Sequence, residues 1–306
     1  MKKMTMKDIA RAAGVSTATV SYIMNNVETQ SISPETREKV MKAAQQLNYI
    51  RNISARSLKS GKSELIGVVL PDPEDGPAWQ RYKYAQAAYR LGRHLNRYGY
   101  QPIAIHVDPS SPKLDVILER EMDGVFVFDV SERDFLRISG RYGMGIPVMA
   151  VDSCVKEPIF HKLLPDFAGA FAAAERALGA VPQFLITDEY RDPELSGRIE
   201  RLSGLSAGDI HVYRDEEALR RFVRERAGQA GIAVNEFVGL SALRAEPALR
   251  LAAVCTCGCP ELLPERTPKI RFDPDGYRKA AELIVHYIRK PHEARPEEFV
   301  FLSVLP

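Results

Sequence analysis

Between residues 65 and 255, short apolar runs alternate with helix-length amphipathic stretches, and this rhythm leaves few architectures open. LIGVVL (65–70), QPIAIHV (101–107), GVFVFD (124–129) and IPVMAVD (146–152) are set apart by stretches such as WQRYKYAQAAYRLGRHLNRYG. The rhythm resumes with PQFLIT (182–187), DIHVY (209–213), GIAVN (231–235) and RLAAVC (250–255). Strand–helix–strand repetition implies parallel sheets covered on both faces. Eight such strands are too many for one small sheet, so the expected class is α/β with two doubly wound subdomains. Ligands of open α/β sheets bind beyond the strand carboxyl ends, which points to Asp152, Asn235 and Cys257.

The first 60 residues follow another pattern. GVSTATVSYIMNN (14–26) is a helix-length run without charge. At about 100° per residue, Thr17, Ala18, Ser21, Tyr22 and Asn25 share one arc, and Val20 and Ile23 fall opposite. Ser16 is placed to cap this helix. The preceding TMKDIARAAG reads as a helix capped by Thr5, with Asp8 three residues on and Gly14 as terminator. Two short helices joined at Gly14-Val15 make a helix-turn-helix, and the small polar face of the second suits base edges in a major groove. SISPETREKVMKAAQQLNYI adds a third helix, with Ser33 as cap, Pro34 in the first turn and Val40, Ala43, Ala44 and Leu47 at core spacing. RNISARSLKSGKS then offers a helix-compatible piece of about seven residues, too short to hold its shape alone in water.

Residues 5–70, from TMKDIARAAGVSTATVS through SPETREKVMKAAQQLNYIRN and SARSLKSGKSELIGVVL, resemble the N-terminus of a lactose-repressor (LacI/GalR) family regulator. The resemblance implies a helix-turn-helix headpiece over 1–50, a hinge helix and linker over 51–62, and a periplasmic-binding-protein-like core over 63–306. Within that core, subdomain one is expected at about 63–155 and 274–292, and subdomain two at about 156–273 and 293–306. By the same resemblance Thr17, Ala18 and Tyr22 occupy base-reading positions, and Thr5, Ser16, Thr19, Ser21, Asn25 and Tyr49 contact the DNA backbone. Asn52, Ala55, Arg56 and Leu58 match the hinge, whose leucine wedges into the minor groove and kinks the duplex. Tyr22 stands where the family usually has arginine. A tyrosine cannot make the bidentate guanine contact, so the operator is expected to differ there.

Charge supports the division. Residues 1–62 hold 11 Lys/Arg and 4 Asp/Glu, a net of +7, and the remainder carries a net of −5. A basic end on an acidic body is what phosphate contact at one end requires. No apolar run approaches the length of a membrane span, and MKKMTMKD enters a helix without an apolar leader segment. Four cysteines without disulfide-framework spacing fit a reducing cytoplasm. The expected partners are double-stranded operator DNA and a second copy of the chain, without cofactor, metal or membrane.

Two patterns suggest other chemistry. GLSAG (204–208) matches the hydrolase nucleophile elbow, but that motif needs a strand before it and a helix after it, and the flanks here read in reverse. No enzymatic activity is expected. CTCGC (255–259) would set Cys255, Cys257 and Cys259 on one face if extended, for a soft metal or an oxidant, or simply as small buried thiols.

By resemblance the effector site is expected to include Arg201, within ELSGRIERLSG, together with Asp152, Asn235 and Phe272. Cys257 replaces an aspartate that commonly holds sugar hydroxyls. A cation at Arg201 with one carboxylate fewer leads to the expectation of an anionic effector, such as a sugar phosphate or carboxylate. The alternative is a degenerate pocket, with control by a partner protein.

Overall fold

Three short helices build the N-terminal unit of the computed structural model, which describes residues 4–24, 31–47, 62–72, 77–108, 122–142, 145–293 and 298–306. The chain divides into units at 1–61 and 62–306. In the first, α1 (Met6–Ala13), α2 (Thr17–Met24) and α3 (Pro34–Gln46) bury Ile9, Val20, Ile23, Val40, Ala43 and Ala44 against one another, with Leu47 packed at the edge. Local polar groups fix the helix ends. Asp8 accepts from the backbone N–H and the hydroxyl of Thr5, at 2.9 and 2.7 Å. Ser16 accepts from the Thr19 N–H at 3.0 Å, and Ser33 from the Thr36 N–H at 3.2 Å. Gly14 turns the chain between α1 and α2 at φ 66°, a left-handed conformation that a Cβ would disfavour.

The second unit contains two parallel sheets. The first has the order β11-β5-β4-β3-β1-β2, from β1 (Leu65–Pro71), β2 (Gln101–Val107), β3 (Gly124–Phe128), β4 (Val148–Val151), β5 (His161–Pro165) and β11 (Phe299–Leu302). The second has the order β10-β9-β8-β6-β7, from β6 (Phe184–Thr187), β7 (Ile210–Val212), β8 (Ala230–Val234), β9 (Arg250–Cys255) and β10 (Lys269–Arg271).

Alternation along the strands feeds two cores per sheet. On sheet one, Ile66, Val68, Phe126, Phe128 and Met149 pack against α4 (Ala78–Arg97) and α10 (Asp275–Arg289). Val69, Val125, Val127 and Ala150 pack on the other face against Phe135 and Ile138 of α5 (Glu132–Ser139). On sheet two, Leu185, Ile232, Val234 and Val254 meet α6 (Phe167–Leu178) and α7 (Pro193–Ser203). Phe184, Ile186, Ala233 and Ala253 meet α8 (Glu216–Arg224) and α9 (Glu236–Ala245). This is the expected pair of doubly wound α/β subdomains, following a helical headpiece in the sequence.

Two strands fall in a different sheet from the one expected. β5 pairs with β4, Met149 opposite His161, so residues 161–165 belong to sheet one rather than subdomain two. β11 pairs with β5, Val300 opposite Leu163, so FVFL also lies in sheet one. The physical reason is that β5 follows β4 without a helix between them, and a rule counting helix-separated runs passes over it. The chain then does return to sheet two. Val304 bridges Phe272, and the Leu305 N–H donates to the Arg271 carbonyl at 2.8 Å.

Candidate functional site

The outward face of α2 is the first candidate. Thr17, Ala18 and Tyr22 are exposed and Ser21 half-exposed, opposite buried Val20 and Ile23. Ser16 and Thr19 stand at the start of this face with their hydroxyls 2.8 Å apart. Thr5 is exposed at the start of α1, and Lys7, Arg11, Lys39 and Lys42 add exposed cations to the same unit. Asn25, Tyr49, Asn52, Ala55, Arg56 and Leu58, and with them the hinge helix, lie outside the described residues. The arrangement offers small hydroxyls and one phenol on a short helix with no carboxylate on it, a surface that a groove edge and its phosphates can approach.

The second candidate is the cleft where the strand carboxyl ends of the two sheets meet. Asp129 closes β3, Asp152 closes β4 and Asn235 closes β8, at φ 40°, 52° and 88°. They are three of the four non-glycine residues with positive φ among those described, and aspartate and asparagine bear that conformation best. Helix α4 presents Trp79, Gln80, Lys83 and Tyr84 to this region. Lys83 Nζ lies 3.0 Å from Asp152 Oδ2 and 4.2 Å from the centre of the Tyr190 ring. The Tyr84 hydroxyl donates to Asp129 at 2.5 Å, and Asp129 also accepts from the Arg191 N–H at 3.0 Å. Trp79 stands edge-on to Tyr213 at 4.9 Å and stacks on Phe237 at 6.1 Å, while its indole N–H donates to Asp188 at 3.3 Å. Asn235 caps α9 by accepting from the Phe237 N–H, and donates to Asp188 at 3.1 Å.

Burial opposes charge throughout this cluster. It raises the Asp129 carboxyl to about 6, against partial compensation by the Lys83 ammonium and the Tyr84 hydroxyl. Burial also works against the Lys83 ammonium, but Asp152, Tyr190 and Asp129 outweigh it and hold the proton on more firmly than usual. Burial pushes the Tyr84 and Tyr190 phenols well up, so both remain neutral, and Tyr84 donates to Asp129. The cavity left among Lys83, Asp152, Thr256, Phe272 and Tyr277 is only about 10 Å³.

The expected effector residues do not all converge. Asp152 and Phe272 line that small cavity. Asn235 is committed to α9 and Asp188, and Cys257 is buried, its N–H donating to Glu236 at 2.9 Å. Arg201 lies elsewhere: its side chain is 65% exposed and pairs with Glu194 at 2.7 Å. It borders an open pocket of about 490 Å³ with Cys154, Lys156, Arg198 and Glu298. The cation beside Asp152 is Lys83, which sequence reasoning missed. The signal was available, because Lys83 falls in the stripe formed by Gln80, Tyr84, Ala87, Leu91 and Leu95, where an unpaired lysine would be costly.

Neither of the other patterns forms a reactive site. β9 ends at Cys255, and the chain bends before Cys257 and Cys259, so the three thiols do not line an extended face. Glu236 gathers the N–H groups of Cys257 and Cys259, and burial raises all three thiols, which keeps them protonated and poorly nucleophilic. Among the described residues no group of three or more His, Cys, Asp or Glu side chains could hold a metal ion. Ser206 lies between α7 and β7, after a helix and before a strand, the reverse of a nucleophile elbow.

Comparison with known proteins agrees with both halves of this description. The sequence model of the bacterial regulatory proteins of the lacI family matches residues 5–52. The fructose operon regulatory protein of Vibrio cholerae is 28% identical over 206 residues, 61% of this chain and 60% of that protein. The sucrose operon repressor of Klebsiella pneumoniae is 28% identical over 218 residues, 68% of this chain and 61% of that protein. The chain thus spans about three-fifths of the length of these relatives. Among solved structures, a lac repressor dimer bound to operator and the anti-inducer ONPF superposes with a TM-score of 0.75 at 18% identity, covering 99% of this chain and 97% of that one. The CelR regulator in complex with cellobiose superposes with a TM-score of 0.60 at 18% identity, covering 99% of this chain and 98% of that one. No helix among the described residues is long and apolar enough to cross a membrane. Residues 5–52 thus match the headpiece of the lacI family of bacterial regulatory proteins, and the chain has the fold of the lac repressor.

Proposed function

We propose that this protein is a sequence-specific DNA-binding transcriptional repressor, acting in the cytoplasm as a homodimer on a near-palindromic operator. The observation that carries the reading is the exposed Thr17, Ala18 and Tyr22 face of α2, set in a basic unit that matches the family. Thr17, Ala18 and Tyr22 read bases, while Thr5, Ser16, Thr19, Ser21, Asn25 and Tyr49 hold the phosphates. Asn52, Ala55, Arg56 and Leu58 form the hinge contacts. Selection of binding sites from random duplexes, followed by mobility shift, tests this. The full chain is expected to enrich a near-palindromic motif and to bind less tightly as salt rises. Residues 62–306 alone are expected not to bind. Tyr22→Arg should change the preferred base at one position per half-site by about 1–3 kcal/mol. The same motif from both proteins would exclude Tyr22 as a reader.

The core is the natural seat of the regulating signal, either a small molecule in the cleft or a partner protein. The small residual cavity, the Lys83–Asp152 pair and the bonds that Tyr84 and Trp79 donate to Asp129 and Asp188 favour the second route. They also speak against an anionic sugar derivative, since Arg201 stands apart from Asp152 and three buried aspartates line the inner cleft. Operator binding measured with neutral and phosphorylated sugars separates these routes, because a cleft effector must shift it.

A further inference from the structure

A buried ammonium group of the chain's own occupies the inner cleft. Lys83 Nζ sits 3.0 Å from Asp152 Oδ2, on the sheet-one side. It also lies 4.2 Å from the centre of the Tyr190 ring, which belongs to the core of sheet two. A carboxylate below and an aromatic face above is the environment that desolvated ammonium groups select. The surroundings do not suit another charge type. Asp129, Asp152 and Asp188 are all less than a tenth exposed, with Lys83 the buried cation among them. Arg201, which would balance an anion, is paired with Glu194 outside the cleft.

One turn before Lys83 on the same helix, Trp79 docks on Tyr213 and Phe237 and donates to Asp188, and Gln80 donates to the Glu189 carbonyl at 3.4 Å. Helix α4 therefore spans both sheets with an indole, an amide and an ammonium. What remains is a cavity of about 10 Å³, room for no more than one water molecule.

We propose that the inner cleft is a primary-ammonium site filled by Lys83 of the same chain, which holds the two sheets together in place of a diffusible effector. The inference rests on the reading of the core as the regulatory half. It adds the chemical class of what that cleft accepts, a small primary ammonium rather than a neutral or anionic sugar.

Lys83→Ala in the full chain provides the test. The substitution removes three methylenes and the amine, the shape of n-propylammonium. Loss of the buried partner of Asp152 should lower the core melting temperature by on the order of 10 °C. n-Propylammonium chloride should restore much of that loss in the variant, whereas n-propanol, propionate and sodium chloride of equal ionic strength should not. Trp79 is the only tryptophan in the chain, so its emission reports the same events at the cleft. Wild-type emission should respond neither to n-propylammonium nor to glucose 6-phosphate. If the variant does not fold in plain buffer, its refolding from denaturant is read instead, with recovery expected in the ammonium salt and not in sodium chloride. The proposal is overturned by equal rescue with n-propanol, by no rescue in either format, or by a wild-type response to the sugar phosphate. Operator binding, measured in parallel, keeps the two readings apart. Intact DNA binding with no amine response sinks this inference alone, and an amine response without DNA binding sinks the regulator reading alone.

Discussion

The α2 surface and the inner cleft use polar side chains in opposite ways. On α2, Thr17 and Tyr22 stand exposed, and the hydroxyl pair of Ser16 and Thr19 marks the start of the helix. In the cleft, Lys83, Asp129, Asp152, Asp188 and Asn235 are buried and bonded among themselves or to α4. An exposed hydroxyl exchanges water for a partner at little cost, while a buried group deprived of its partner loses about 1–3 kcal/mol. The difference teaches where an outside molecule can be recognised without rearrangement. The headpiece is ready for one; the cleft must first release α4.

If α4 holds the cleft, its aromatic anchor should matter most. Trp79→Ala removes both ring contacts and the bond to Asp188, and should lower core stability by about 3 kcal/mol, the low end for a tryptophan because the side chain is only half-buried. Chemical denaturation followed by circular dichroism is the measurement, with the headpiece unfolding at its usual point. An unchanged core midpoint would break the comparison, since the cleft would then be closed by something other than α4.

A smaller effect sharpens it through pH. Asp129 has its carboxyl raised from 3.8 to about 6, first by burial, so the folded core holds this proton more tightly than the unfolded chain. The stabilisation from that proton is complete below about pH 4 and is lost as pH rises through 6. Asp129→Asn keeps the size of the group and removes the titration. The stability difference between wild type and variant should therefore shift by about 2 kcal/mol between pH 4 and 7, in favour of the variant at the higher pH. A constant difference across that range would show that Asp129 ionises in the cleft as easily as in water.

Legibility in the sequence followed the same contrast. The headpiece was readable because its determinants are local: Thr5, Ser16, Ser33 and Gly14 mark helix ends within three or four residues of the groups they serve. β2 and β9 were readable as apolar runs at their observed bounds. β5 and β10 were not, since five and three residues inside longer connections carry too little pattern to separate from loop. The cleft was half-legible. Asp152 follows from the rule about strand ends, but its partner Lys83 lies 69 residues away on a helix otherwise read for its apolar spacing. Arg201 shows the converse. A matching motif placed the residue, and the pairing with Glu194 seven positions earlier on α7 decides where its guanidinium points.

The smallest effect belongs to a headpiece cap. Ser33 accepts from the Thr36 N–H at 3.2 Å, and its hydroxyl lies 2.9 Å from that of Thr36, both at an exposed helix start. Ser33→Ala leaves that N–H to water, which takes up most of the loss, so headpiece stability should fall by about 1 kcal/mol. Ser33→Gly should cost only a few tenths of that unit, because glycine exposes the helix end to solvent and adopts the cap conformation readily. The order serine, glycine, alanine is the signature of a cap, whereas a residue acting through apolar packing would not favour glycine over alanine. Thermal unfolding of the headpiece by circular dichroism reads the order directly, and the core transition should not move. If both variants match wild type, α3 is held by its contacts through Val40, Ala43 and Ala44 alone, and the headpiece resembles the cleft more closely than the comparison allows.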